Sequence, residues 1–173
     1  MVRTRSGESG FSVIELLVVV AIILTITAIA VPRMLQGRVK AKEAAAISSM
    51  KAIQNAQQLY SQTYPDKGYA PTLAYLGTSS SGACDLPTSS CLIDSVLATG
   101  IKGGYIFEIK GDGNTPVAGY TLTATPDGSH GIGSSQCIFE SDQTGIIKGR
   151  SVDQQSSSGA LLSQAITQTG CGN

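Results

Sequence analysis

Between Phe11 and Val31 the chain carries one charged side chain, Glu15, and three other polar ones, Ser12, Thr25 and Thr27, in an otherwise apolar run. A helix rising 1.5 Å per residue covers about 31 Å over that stretch, the hydrocarbon thickness of a bilayer. The two threonines do not spoil the span, because a hydroxyl on a helix can bond a carbonyl one turn back. Pro32 follows, removing one backbone hydrogen bond and crowding the preceding turn, which predicts a kink or a short melted stretch. Beyond it Val39, Ala46, Met50, Ile53, Ala56 and Tyr60 recur at helical spacing, with Lys40, Lys42, Glu43, Lys51 and Gln54 on other faces. Helix formers dominate from Met34 to Tyr60, and the first firm stop is Tyr64-Pro65-Asp66-Lys67-Gly68. The pattern predicts one helix of about fifty residues, with an apolar stripe on its second half.

After the stop the period changes. Tyr105-Ile106-Phe107-Glu108-Ile109 and Tyr120-Leu122-Ala124 alternate as half-buried strands do, separated by the turn-rich Gly111-Asp112-Gly113-Asn114. Cys137-Ile138-Phe139-Glu140 and Gly145-Ile146-Ile147-Lys148 flank Ser141-Asp142-Gln143-Thr144 as a hairpin. About four short strands are thus available to cover the helical stripe. A coiled-coil dimer is the alternative cover, but the stripe lasts fewer than the three or four heptads that such pairing requires. Thr72–Leu76 and Leu92–Leu97 give short helical cues in the intervening region. The expected division is a leader at 1–10, an apolar helix at 11–31, its amphipathic continuation at 32–63, a connecting region at 64–103, and a β-sheet head with tail at 104–173. The fold class is α+β.

Composition narrows the function. The 173 residues are 42% hydrophobic and 14% charged, which suits one apolar helix and one modest head. Twelve basic and twelve acidic side chains cancel, so no basic field for nucleic acid is present. Charge does not settle orientation, since Arg3 and Arg5 precede the span while Arg33, Arg38, Lys40 and Lys42 follow it.

Glu15 is the residue that demands a reason. A carboxylate at hydrocarbon depth costs about 2.5–3.5 kcal/mol on insertion scales and usually has a partner or a task. A secretory signal is cut after an apolar core of about 7–15 residues, whereas Gly7 and Gly10 both precede a longer core here. Cutting at Gly10 would keep the apolar segment. An ordinary signal anchor with an incidental acid is the competing reading of the run alone.

The stretch Gly10-Phe11-Ser12-Val13-Ile14-Glu15-Leu16-Leu17, behind a polar leader and ahead of Val18-Val19-Val20-Ala21-Ile22-Ile23-Leu24, resembles the prepilin signature of type IV pilins and type II secretion pseudopilins. The resemblance implies cleavage between Gly10 and Phe11 by a prepilin peptidase on the cytoplasmic side of the inner membrane. It also implies N-methylation of Phe11 and a charge pair in assembly between Glu15 and the amine of Phe11 on a neighbouring subunit. The implied fold is the type IV pilin fold, a long helix whose second half packs on an antiparallel sheet. Gly104–Phe107, Gly119–Leu122, Cys137–Phe139 and Gly145–Ile147 also look like the head of small bacterial pilins. The implied partners are further pilin subunits in a homopolymer, the peptidase, and a pilus or secretion assembly platform. The implied location is the bacterial inner membrane, then a cell-surface filament serving adhesion, motility or DNA uptake.

Cys84, Cys91, Cys137 and Cys171 permit three pairings. Cys84 with Cys91 would close a small loop, and Cys137 with Cys171 would tie the tail to a strand, in an oxidising space where such bonds persist. A zinc site is the rival reading, against which stand the lack of a CxxC and a single histidine, His130. No metal and no cofactor are expected; Asp112-Gly113-Asn114 offers oxygens for calcium but lacks the EF-hand repeat. Gly77–Gly82 misses the nucleophile-elbow spacing and no Walker-type loop occurs, so no enzymatic activity is expected. Glu108, Asp112, Asp142 and Asp153 are scattered acids for which solvation is the default reading. Three functions compete: a pilus-like filament subunit, a secretion pseudopilin, and a monomeric membrane-tethered protein for which Glu15 would be dispensable.

Overall fold

A computed structural model describes residues 10–78, 84, 86–128 and 137–151. Residues 1–9, His130, Asp153 and Cys171 lie outside that set, and with them the leader and the partner expected for Cys137. The chain divides into two compact units, residues 1–37 and 38–173. One helix, α1 (Val13–Thr63), contributes to both and holds 51 residues. Of the two outcomes expected at Pro32, the melted stretch does not occur. One missing N–H leaves the hydrogen bonds of the flanking turns in place, and helix propagation is cooperative across it.

In the second unit a meander of five antiparallel strands runs in sequence order. The strands are β1 (Ile101–Lys102), β2 (Tyr105–Gly111), β3 (Tyr120–Pro126), β4 (Cys137–Asp142) and β5 (Lys148–Ser151). β1 is an addition to the four expected strands and starts inside the region assigned to the connection. Gly103 and Gly104, both at positive φ, join it to β2 as a two-residue hairpin that places Lys102 opposite Tyr105.

The last strand is also displaced. Gly145 to Ile147, expected in a strand, belong to the turn: the Asp142 carboxylate accepts hydrogen bonds from the Thr144 N–H and hydroxyl, and Gly145 N–H donates to the Asp142 carbonyl at 3.0 Å. Gly145 stands at φ 78°, so pairing resumes only at Lys148, and Ser141 and Asp142 join β4 instead of the turn.

Alternation sets the core. Tyr105, Phe107 and Ile109 of β2, Tyr120, Leu122 and Ala124 of β3, and Cys137 and Phe139 of β4 form one buried cluster with Ala46, Met50, Ile53, Ala56 and Tyr60 of α1. The apolar stripe read from the sequence is therefore covered by the sheet. Glu43, expected on another face, is instead buried on this one at 7% exposure, and Gln57, at 0%, joins it there. Positions 43, 46, 50, 53, 57 and 60 follow a strict three-four spacing, so burial there is geometric even where the side chain is polar.

Gln57 meets the cost of burial through both ends of its amide. Nε2 donates to the Ala70 carbonyl at 2.9 Å and Oε1 accepts from the Ala70 N–H at 2.8 Å, so the side chain substitutes for a strand partner and pins the chain leaving α1. Nearby, Gly68 pairs with Val117, and a Cβ on Gly68 would lie 2.1 Å from the Val117 carbonyl oxygen, so only glycine fits.

Two one-turn helices occupy the connecting region, α2 (Leu73–Leu76) and α3 (Ser95–Ala98), where the cues placed them, the second shorter than its cue. Asp94 caps α3 by accepting from the Leu97 N–H at 2.9 Å. Cys84 and Cys91 form a disulfide with their Cα atoms 5.1 Å apart, the pairing preferred for the small loop. Cys137 is buried at the start of β4.

Candidate membrane and assembly segment

Every described side chain of α1 from Val13 to Arg33 is exposed. Phe11 is 79% exposed, Val13 80% and Ile14 71%, and Leu16 through Val31 continue in the same way around the full circumference of the helix. A helix apolar on all sides has no face to turn to water, so it needs lipid or other helices as its surroundings. By length and composition this helix can cross a membrane. Its two threonines are satisfied internally: Thr25 Oγ1 donates to the Ile22 carbonyl at 2.8 Å and Thr27 Oγ1 to the Leu24 carbonyl at 3.0 Å.

Glu15 stands in the first turn, where a helix N-terminus favours negative charge. Its neighbours one turn away are Phe11, Ser12, Val18 and Val19, none of them cationic. The next basic residue along the helix, Arg33, is roughly 27 Å further on, beyond any direct pairing. Among the described residues Glu15 has no ion pair and no side-chain hydrogen bond. Any partner that compensates this charge in an apolar setting has to come from outside the described part of the chain. No family model, curated protein or solved structure matches this chain.

Lys110, Asp112, Tyr120, Asp142 and Gln143 line an open groove of about 530 Å³. Asp112 is not available to a cation. Its Oδ1 accepts from the Asn114 N–H, and its Oδ2 from Asn114 Nδ2 and the N–H groups of Ala118 and Gly119, at 2.9–3.2 Å. These donors hold its carboxyl below the usual carboxylate range, the Asn114 N–H contributing most. Asp142 is likewise held low, first by the Thr144 hydroxyl. The two carboxylates lock loops, and neither Asx turn was legible beyond its turn-forming residues. Among the described residues no three His, Cys, Asp or Glu side chains gather to hold a metal ion. Glu108 is exposed on β2.

Tyr120 sits at the floor of this groove. Its phenol is pushed up to about 12, by burial first, then by Tyr69 and Asp142. A raised folded-state value means that the stabilisation is complete below the ordinary tyrosine value of about 10 and is lost as pH rises through about 12. Titration by absorbance at 295 nm should therefore show a tyrosine step above pH 11, with head stability falling across that interval; burial raises Tyr60 as well. A Tyr120→Phe variant should lose one tyrosine's share of that late step, and a wild-type curve complete by pH 11 would contradict the burial argument.

Proposed function

We propose that the chain is a structural subunit of a type IV pilus-like filament, built on the pilin fold. The observation that carries this reading is Glu15, a lone carboxylate one turn into a helix that is apolar on every side, five residues after a glycine that precedes the apolar run. In this reading a prepilin peptidase cuts after Gly10 and Phe11 becomes an N-methylated terminus. The subunit waits in the inner membrane through the segment 11–31 and then enters a polymer whose core is bundled N-terminal helices. There the amine of Phe11 on an adjacent subunit neutralises Glu15 and fixes the axial register.

The Cys84–Cys91 bond that closes the connecting loop supports a head carried outside the cytoplasm. A secretion pseudopilin shares the N-terminal chemistry and is the second reading.

Processing is the first test. Intact mass and N-terminal sequencing of the membrane-extracted protein should show methyl-Phe at position 11 with residues 1–10 absent. A retained Met1, or a cut beyond Val31, would remove the basis for this function.

A further inference from the structure

The charges that follow the apolar span take no part in the filament chemistry proposed above, and they are unevenly placed. Arg33, Arg38, Lys40 and Lys42 fall within ten positions beside a single acid, Glu43, whereas residues 44–173 carry six basic and nine acidic side chains. Arg33, Arg38 and Lys40 are exposed, while Glu43 is buried. Among the described residues none of these three cations has an ion pair or a side-chain hydrogen bond. Lys42 is set apart, being half-buried with its side chain passing Gly104 of the β1–β2 hairpin.

Cations at the end of an apolar helix meet the layer in which lipid phosphates lie. Arg33, Arg38 and Lys40 stand two, seven and nine residues past Val31, or about 3, 10 and 14 Å along a helix. The headgroup layer outside the hydrocarbon is about 5–8 Å deep, and its field extends further by a Debye length of about 8–10 Å. Every Cα–Cβ bond of a helix tilts toward the N-terminus, so these long side chains lean back toward the span, as snorkelling side chains do at a membrane surface. A guanidinium meets a phosphate with two parallel N–H donors, and an ammonium meets it as a point charge.

We propose that Arg33, Arg38 and Lys40 clamp the phosphates of anionic lipid headgroups in the leaflet next to them, and so set the depth of the helix in the bilayer. Each takes a phosphate of its own, so the clamp needs no fixed geometry between residues 1–37 and 38–173. An acidic surface on a second copy is the competing occupant. Against it, three acids of the head are already committed within their own chain: Asp94 to Lys102 and the Leu97 N–H, Asp112 to Asn114, Ala118 and Gly119, and Asp142 to Thr144. The clamp rests on residues 11–31 crossing a bilayer, which the filament subunit and the tethered monomer share, and it holds whether or not the chain polymerises.

Electron spin resonance of spin-labelled lipids around the full-length protein in phosphatidylcholine bilayers tests it. A motionally restricted signal from labelled phosphatidylcholine marks the lipid shell of the span, and its ratio to the signal from labelled phosphatidylglycerol gives the headgroup preference. Phosphatidylglycerol should be preferred. The triple variant Arg33→Gln, Arg38→Gln, Lys40→Gln should lower that preference at least fivefold, the factor that about 1 kcal/mol per basic side chain at a lipid surface gives for one charge. Lys51→Gln with Lys110→Gln, removing two exposed charges further along the chain, should leave it unchanged. No preference in the wild type, or the same preference in the triple variant, would overturn the clamp. Loss of the preference in inorganic phosphate but not in chloride of equal ionic strength would overturn it in favour of free phosphate, and a triple variant that keeps the preference but loses self-association would do so in favour of a second copy. No restricted signal from either lipid would overturn the span itself.

Discussion

Glu15→Ala should abolish most filament formation while leaving membrane insertion, processing and head stability nearly unchanged. The acid belongs to the first unit and is not a member of the buried cluster, so its loss removes no packing from the head. Removing a charge from an apolar helix also makes insertion easier. Assembly is different. If the amine of Phe11 on a neighbour is buried against Glu15, truncating the acid leaves that amine alone, at about 3–5 kcal/mol per contact. At 1.4 kcal/mol per decade the subunit affinity falls by two to three orders of magnitude. Glu15→Gln should fail too, because it keeps the shape and loses the charge. The readout is surface filament yield in a strain lacking the wild-type subunit, beside immunoblots of membrane-held protein. Normal yield from Glu15→Ala would sink the charge pair and favour a tethered monomer.

The largest effect on stability should come from Ile53→Ala. Ile53 is fully buried where α1 crosses the sheet, and trading an isoleucine for alanine in a packed core costs about 2–5 kcal/mol in lost transfer energy and residual cavity. For a chain of this size each kcal/mol lowers Tm by about 2–4 °C, so a drop near 10 °C is expected in detergent. Leu59→Ala on the same helix is the control. Its side chain is 49% exposed and belongs to no part of the cluster, so the change should stay within about 1 kcal/mol. Similar losses from both substitutions would mean that the sheet does not cover the stripe as described.

The parts of this fold that were legible in the sequence are those where one side-chain period runs long enough to average out exceptions. Helix α1 was expected to end near Thr63 and does, because Tyr64-Pro65-Asp66-Lys67-Gly68 supplies a turn with Gly68 at φ 75°. The same reading failed at Glu43 and passed over Gln57, since taking polarity as exposure overlooks that spacing alone decides which face a residue occupies. For Gln57 the missing information was Ala70, whose two backbone groups lie thirteen residues away in sequence. β1 escaped notice because two residues have no period; Gly103-Gly104 was its only signal. The late start of β5 reflects Asp142, whose side chain builds a turn that apolar Ile146 and Ile147 conceal. The isolation of Glu15 could be read directly, since a helix fixes its neighbours, while the identity of its partner depends on a second chain.

If the chain polymerises through its N-terminal helix, as proposed, filaments sheared from cells that express it will contain it. Electron microscopy should show thin helical filaments, and mass spectrometry of the purified material should find this chain as a constituent starting at methyl-Phe11. Cells that process the chain normally, yet yield no filament containing it, would contradict the account.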